Sequence, residues 1–256
     1  EGVAKGVLPV AKSLEGGFSY ADQLGQRPGA GAVYLNIFHY DLPEFLDTKK
    51  VNADEDIRLS TISTGLVVPS KFFELARDNK PFNLFAPHTV EREYGVALDD
   101  MDMDEMYDQL VANDNVRKRE YDARDMLNTI AQTQLQSGYP YLMFKDNANK
   151  VHPLGDIGQI KISNLCTEIF QLQETSEIND YGTDDEIKRD ISCNLGSMNI
   201  ANVMDSGKVK ETVHEGIEAL TLVSDDTSIA NAPGVKKAND ELHSVGLGAM
   251  NLHGYL

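Results

Sequence analysis

Residues 58–86, RLSTISTGLVVPSKFFELARDNKPFNLFA, hold in one short run the pattern that sets the fold class. Arg58 to Val68 is rich in β-branched residues and stops at Pro69, which reads as a strand. Ser70 can cap a helix carrying Phe72, Phe73 and Leu75, with Glu74 near its N-terminal turn. Pro81 to Ala86 is a second short strand. Working outward toward the N-terminus, Asp41 to Lys50 reads as a short helix and Ala32 to Phe38 as a strand. A glycine-rich loop, Gly25 to Gly31, precedes that strand. Before the loop, Val7, Leu8, Val10, Ala11, Leu14 and Phe18 recur at helical spacing within Val3 to Ala21.

Toward the C-terminus, Met101 to Val111 and Val116 to Leu135 read as amphipathic helices. The second has Tyr121, Ala123, Met126, Leu127, Ile130 and Leu135 on its inner side and ends at Gly138. Tyr139 to Phe144 is a strand. His152 to Phe170 has no period and turns around Gly155 and Gly158. Gln171 to Arg189 is an acidic surface excursion, and Ile191 to Ile200 is a strand. Val209 to Ala230 and Val235 to His253 read as helices flanking Pro233-Gly234. Strands alternate with helices long enough to cross over, which predicts an α/β architecture. With no repeat, low-complexity run or linker, residues 1–256 read as a single domain.

The composition narrows the function. The chain has 256 residues, 41 acidic against 23 basic, a net charge of −18, and 41% apolar residues. That supports a packed core and argues against wholesale disorder. It also argues against a non-specific nucleic-acid partner, since phosphates need lysine and arginine. No apolar run approaches the ~20 residues of a membrane helix, and no secretory signal opens the chain. Cys166 and Cys193 are the two cysteines, which is no disulfide scaffold and points to the reducing cytoplasm. The opening at Glu1 and the stop within GLGAMNLHGYL suggest a piece of a longer polypeptide.

Several clusters could carry chemistry. In the loop, glycines follow a helix and precede a strand, the reverse of a dinucleotide fingerprint. A helix-to-strand turn explains them, although Arg27 beside Gln23 and Gln26 suits the reading of base edges or phosphates. Asn164-Leu165-Cys166-Thr167-Glu168 is sharper. In an extended segment, residues i and i+2 point the same way, so Asn164, Cys166 and Glu168 would face one pocket. No histidine lies near in sequence, and a carboxylate disfavours a neighbouring thiolate. That argues against thiolate catalysis but not against radical chemistry through a neutral S–H. A buried cysteine beside a surface glutamate is the bland alternative. Cys193 reads on its own as core. The six histidines have no metal-ligand spacing, and the acids from Asp99 to Glu105 read as a helix start. No metal site is expected.

At these residues the chain resembles the large catalytic subunit of class I ribonucleotide reductase, closest to the class Ib type. The matching stretches are FSYADQLGQRPGAGAVYLN, QSGYPYLMFKDNAN, SNLCTEI, DISCNLGSMNIA and GLGAMNLHGYL, in family order. The resemblance implies part of a ten-stranded α/β barrel with a central finger loop. It implies that Cys166 carries a thiyl radical at the finger tip and takes, then returns, the 3′ hydrogen of a ribonucleoside diphosphate. Glu168 would be the base on the 3′ hydroxyl, and Asn164 would orient the sugar hydroxyls. Asn164, Leu165, Cys166, Thr167 and Glu168 would line the substrate. Cys193 would be one half of a reducing thiol pair whose other half lies before Glu1. Gln23, Gln26, Arg27 and Gly29 would belong to the loop linking a specificity effector to the substrate base.

The resemblance also implies partners. These are deoxynucleotide or ATP effectors at a homodimer interface, a metal-containing small subunit that supplies the radical, and a thioredoxin- or glutaredoxin-like reductant. No cofactor bound by this chain, no nucleic acid and no membrane are expected. Two other readings stand beside it: a cysteine hydrolase or amidase using a Cys–Glu pair, and a non-catalytic nucleotide-binding module with both cysteines in the core.

Overall fold

The computed structural model describes residues 5–22, 24–179 and 181–256. The chain divides into two compact units, Glu1–Phe170 and Gln171–Leu256. Both are mixed α/β, and each contains a parallel sheet.

The first unit runs α1 (Val7–Tyr20), β1 (Ala32–Asn36), α2 (Leu42–Asp47), β2 (Ser63–Val68), α3 (Ser70–Arg77), β3 (Pro81–Phe85), α4 (Pro87–Tyr94), a 3₁₀ turn, α5 (Met103–Ala112), β4 (Lys118–Asp122), α6 (Ala123–Ser137), β5 (Tyr141–Phe144) and α7 (Lys145–Val151). Strands β1, β2 and β5 form a parallel sheet with β2 in the middle. Side chains alternate across a strand, so this sheet has two different faces. Val33, Leu35, Leu66, Val68 and Leu142 point into the main core, with Phe38, Phe72, Phe82 and Phe85. The opposite face carries Tyr34, Gly65 and Tyr141 in one row and Val67 beside Met143 in the next. Ile160, from the irregular segment after α7, covers Val67 and Met143.

The aromatic core is knit by Phe38, whose ring centre lies 5.3 Å from that of Phe82 and 5.5 Å from that of Tyr107. The Tyr107 hydroxyl accepts from the Asn83 N–H at 3.0 Å and donates to the Pro81 carbonyl at 3.2 Å, so its buried polar end is satisfied.

The second unit runs β6 (Asn194–Asn199), α8 (Ile200–Ser206), α9 (Val209–Asp226), α10 (Pro233–Leu242), β7 (Val245–Met250) and α11 (Leu252–Tyr255). Strands β6 and β7 are parallel. Buried Asn239 ties this unit together, accepting from the Ser192 hydroxyl at 2.9 Å and donating to the Ser224 carbonyl at 3.1 Å. Arg189 joins Glu174 at 2.6 Å and Glu241 at 3.0 Å.

Three expectations change. The helix over Val116 to Leu135 begins only at Ala123. Before it, Lys118–Asp122 is strand β4, paired antiparallel with β3. The Asp122 carboxylate caps α6 by accepting from the Asp125 N–H at 2.9 Å. Strand β3 therefore belongs to a separate two-stranded sheet and does not extend the parallel one. The helix over Val235 to His253 ends at Leu242, where His243 turns left-handed, and β7 follows. Gly246 and Gly248 favour that outcome: glycine is poor in helices, and a Cβ on Gly246 would stand 2.7 Å from the Leu195 side chain of β6. Finally, Ser70 does not cap α3. Its backbone N–H donates instead to the Asp146 carboxylate of α7 at 2.5 Å. Helices α4, α7 and α8 were not foreseen.

Other expectations stand. Gly138 closes α6 at φ 78°, and Asp102 opens α5 by accepting from the Asp104 N–H at 2.8 Å. Among the described residues, no helix is long and apolar enough to cross a membrane.

Candidate active site

Asn164 to Ile169 forms a closed turn, not an extended strand. The Asn164 side-chain oxygen accepts from the Glu168 N–H at 3.1 Å and the Ile169 N–H at 3.0 Å. The Thr167 N–H donates to the Asn164 carbonyl at 3.3 Å. The Ser163 hydroxyl donates to the Ile169 carbonyl at 2.7 Å. An asparagine whose side chain bonds its own downstream backbone folds the chain into a turn, and that defeats the alternation predicted for Asn164, Cys166 and Glu168. The amide of Asn164 shapes the turn, while Cys166 and Glu168 are presented outward on it, both exposed. Leu165 and Thr167, on either side of Cys166 in the chain, are half-buried.

The turn lies against the tyrosine face of the sheet. The Tyr34 hydroxyl donates to the Asn164 carbonyl at 2.6 Å and pairs with the Thr167 hydroxyl at 2.5 Å. Burial pushes the Tyr34 phenol above its usual range, and the nearby Glu168 and Cys166 add to that rise. The Tyr141 phenol is likewise raised, first by burial, and Cys166 contributes there too. The two phenols and the Cys166 thiol therefore share one neighbourhood. Next to them, the Tyr139 hydroxyl lies 3.0 Å from the Ser63 hydroxyl, and the Tyr139 ring centre is 5.1 Å from that of Tyr141.

The glycine-rich loop is a tight turn closed by a bridge between Asp22 and Pro28. The Asp22 carboxylate accepts from the Gly25 N–H at 3.2 Å. Gln26 and Arg27 stand exposed at its tip. Gly29 has a packing role, since a Cβ there would sit 2.0 Å from the Ala21 carbonyl oxygen at the end of α1. Gln23 lies outside the described residues. Cys193 is exposed in the second unit, one residue before β6. Among the described residues, no group of three or more His, Cys, Asp or Glu is placed to hold a metal ion.

Sequence reasoning gave no role to Tyr34. The available signal was a phenol set between Val33 and Leu35 in a strand, opposite a glycine in the neighbouring strand.

A family model of the ribonucleotide reductase barrel domain matches residues 1–256. The chain is 53% identical over 256 residues to a ribonucleoside-diphosphate reductase subunit alpha of Bacillus subtilis, covering 100% of this chain and 37% of that protein. It is 47% identical to the subunit of that name in Mycoplasma genitalium, with 100% of this chain and 35% of the relative covered. The Treponema pallidum subunit is 28% identical, across 99% of this chain and 32% of its own length. The chain thus spans about a third of the length of these curated relatives. It belongs to the ribonucleotide reductase family and corresponds to the barrel domain of that family.

Proposed function

We propose that this chain is the barrel part of a catalytic subunit that reduces ribonucleoside diphosphates to deoxyribonucleoside diphosphates in the cytoplasm. The observation that carries the reading is the Asn164–Ile169 turn, which exposes a thiol and a carboxylate two residues apart in a family of ribonucleotide reductases. Both compact units belong to one domain in this reading, since a single barrel-domain match spans them.

Cys166, as a thiyl radical, takes the 3′ hydrogen atom of the substrate and returns it at the end. The radical reaches it from a metal-containing small subunit. Glu168 takes the proton of the 3′ hydroxyl. The 2′ hydroxyl leaves as water, and a thiol pair that includes Cys193 supplies the two electrons, ending as a disulfide that a redoxin-type protein reduces. Asn164, Leu165 and Thr167 complete the substrate wall. The test uses a full-length subunit carrying this segment, with its small subunit, a dithiol reductant and a labelled ribonucleoside diphosphate. Deoxynucleotide is the expected product. Its absence, with amide hydrolysis that iodoacetamide blocks, would establish a cysteine hydrolase instead.

The Arg27 loop, in the same reading, relays the identity of a deoxynucleotide or ATP effector bound at a homodimer interface. Gly29 and Gly31 pin its base to α1, leaving Gln26 and Arg27 exposed to meet the substrate base, with Gln23 as a further member. Coupling of this kind is a difference in binding free energy between states, commonly ~1–3 kcal/mol. Arg27→Ala should flatten effector control of substrate choice in a mixed-substrate assay while deoxynucleotides still form. Product ratios that still follow the effector as in the parent would make the loop a plain turn.

A further inference from the structure

Thr167 sits at φ 65°. This left-handed conformation is one that β-branched residues rarely adopt, and it turns the chain directly after Cys166. The bonds from Asn164 hold this turn from within. Tyr34, more than a hundred residues earlier in the chain, reaches it from elsewhere in the fold with two further bonds. The phenol has one proton, which goes to the Asn164 carbonyl, so its oxygen accepts the Thr167 proton. One hydroxyl therefore ties the residue two before the thiol to the residue just after it.

The phenol is itself fixed in place. Tyr34 lies in the middle of β1, in register with Gly65 of β2, and its ring lies across that glycine. A Cβ at position 65 would meet the ring at 2.4 Å. The sheet thus supplies a rigid post, and rigid elements hold reacting groups more accurately than loops do.

We infer that Tyr34 is a positioning residue for the radical chemistry, holding the Cys166 turn so that the sulfur meets the substrate hydrogen at transfer distance. This rests on the reading of Cys166 and Glu168 given above. Tyr34 acts through the turn, by its bonds to Asn164 and Thr167. Misplacing a reacting group by ~1 Å can cost ~100-fold in rate. Loss of the Tyr34 anchor should therefore lower turnover, and substrate affinity should change little.

The experiment measures kcat and KM for Tyr34→Phe, Thr167→Val and the double variant in a full-length subunit carrying this segment, with its small subunit. Phenylalanine keeps the ring against Gly65 and removes only the hydroxyl. Tyr34→Phe should lower kcat by about 10-fold or more with KM within about twofold. Thr167→Val should also lower kcat, and the double variant should lose no more than the worse single one, because both changes break the same link. Parent-like kcat in Tyr34→Phe would overturn the proposal, as would a loss in the double variant equal to the product of the single losses. If Tyr34→Phe fails to fold, Thr167→Val decides alone, and parent-like kcat there overturns it. Failure of the underlying reading looks different: the parent makes no deoxynucleotide, or Cys166→Ser still makes it.

Discussion

Cys166→Ser, in a full-length subunit carrying this segment, is expected to bring deoxynucleotide formation down to background. An alcohol O–H bond is stronger than a thiol S–H bond, so serine at the tip of the turn cannot take over the exchange of a hydrogen atom with the substrate. The substitution is nearly isosteric, and Cys166 is exposed, so folding should not change and thermal unfolding should coincide with the parent. Cys193→Ser should behave differently. In the proposed mechanism hydrogen abstraction at C3′ would still proceed, but the reducing pair would be broken. The activated sugar then decomposes and releases free base in place of product. Quantifying deoxynucleotide and free base separately under multiple turnover distinguishes the two. Normal deoxynucleotide yield from either variant would remove that cysteine from the mechanism.

Glu168→Gln carries the second large effect. The Glu168 side chain is exposed and its backbone N–H is engaged by Asn164, so glutamine preserves the turn and its hydrogen bonds. What it loses is the capacity to accept a proton. General-base catalysis typically contributes 10²–10⁴-fold, so turnover should fall by about 100-fold or more while substrate binding is largely retained. Substrate affinity by equilibrium binding, beside single-turnover kinetics, separates the two quantities. Turnover near that of the parent would make Glu168 a neighbour of the chemistry and not a participant.

The sequence made the α/β class legible, because the strands β1, β2 and β5 are largely apolar runs bounded by turn-forming residues. The end of α6 was legible because glycine at a left-handed position is a strong stop signal. Strand β4 was not. Lys118–Asp122 is mostly charged, and its conformation comes from pairing with β3, a contact that no local pattern encodes. Nor was β7, because no glycine or proline stands between α10 and Val245 to mark where the helix ends. The site was legible as a set of residue types but not as a geometry. The period-two argument for Asn164, Cys166 and Glu168 assumed an extended chain, whereas asparagine is a turn former, and here its side chain folds the segment back on itself. Tyr34 escaped notice because its partners lie 130 and 133 residues away.

The two faces of the β1–β2–β5 sheet should drift at different rates as related sequences diverge. On the core face, Leu35, Leu66 and Val68 are interchangeable with other aliphatic residues so long as volume is kept, at a cost usually under ~1.5 kcal/mol. On the other face the tolerance is of another kind. Gly65 admits no side chain while Tyr34 lies over it, and Tyr34 admits no other residue that places a hydroxyl at the same point. Adjacent residues of one strand, such as Tyr34 and Leu35, thus answer to different demands, the first to a fixed position in space and the second only to the filling of it.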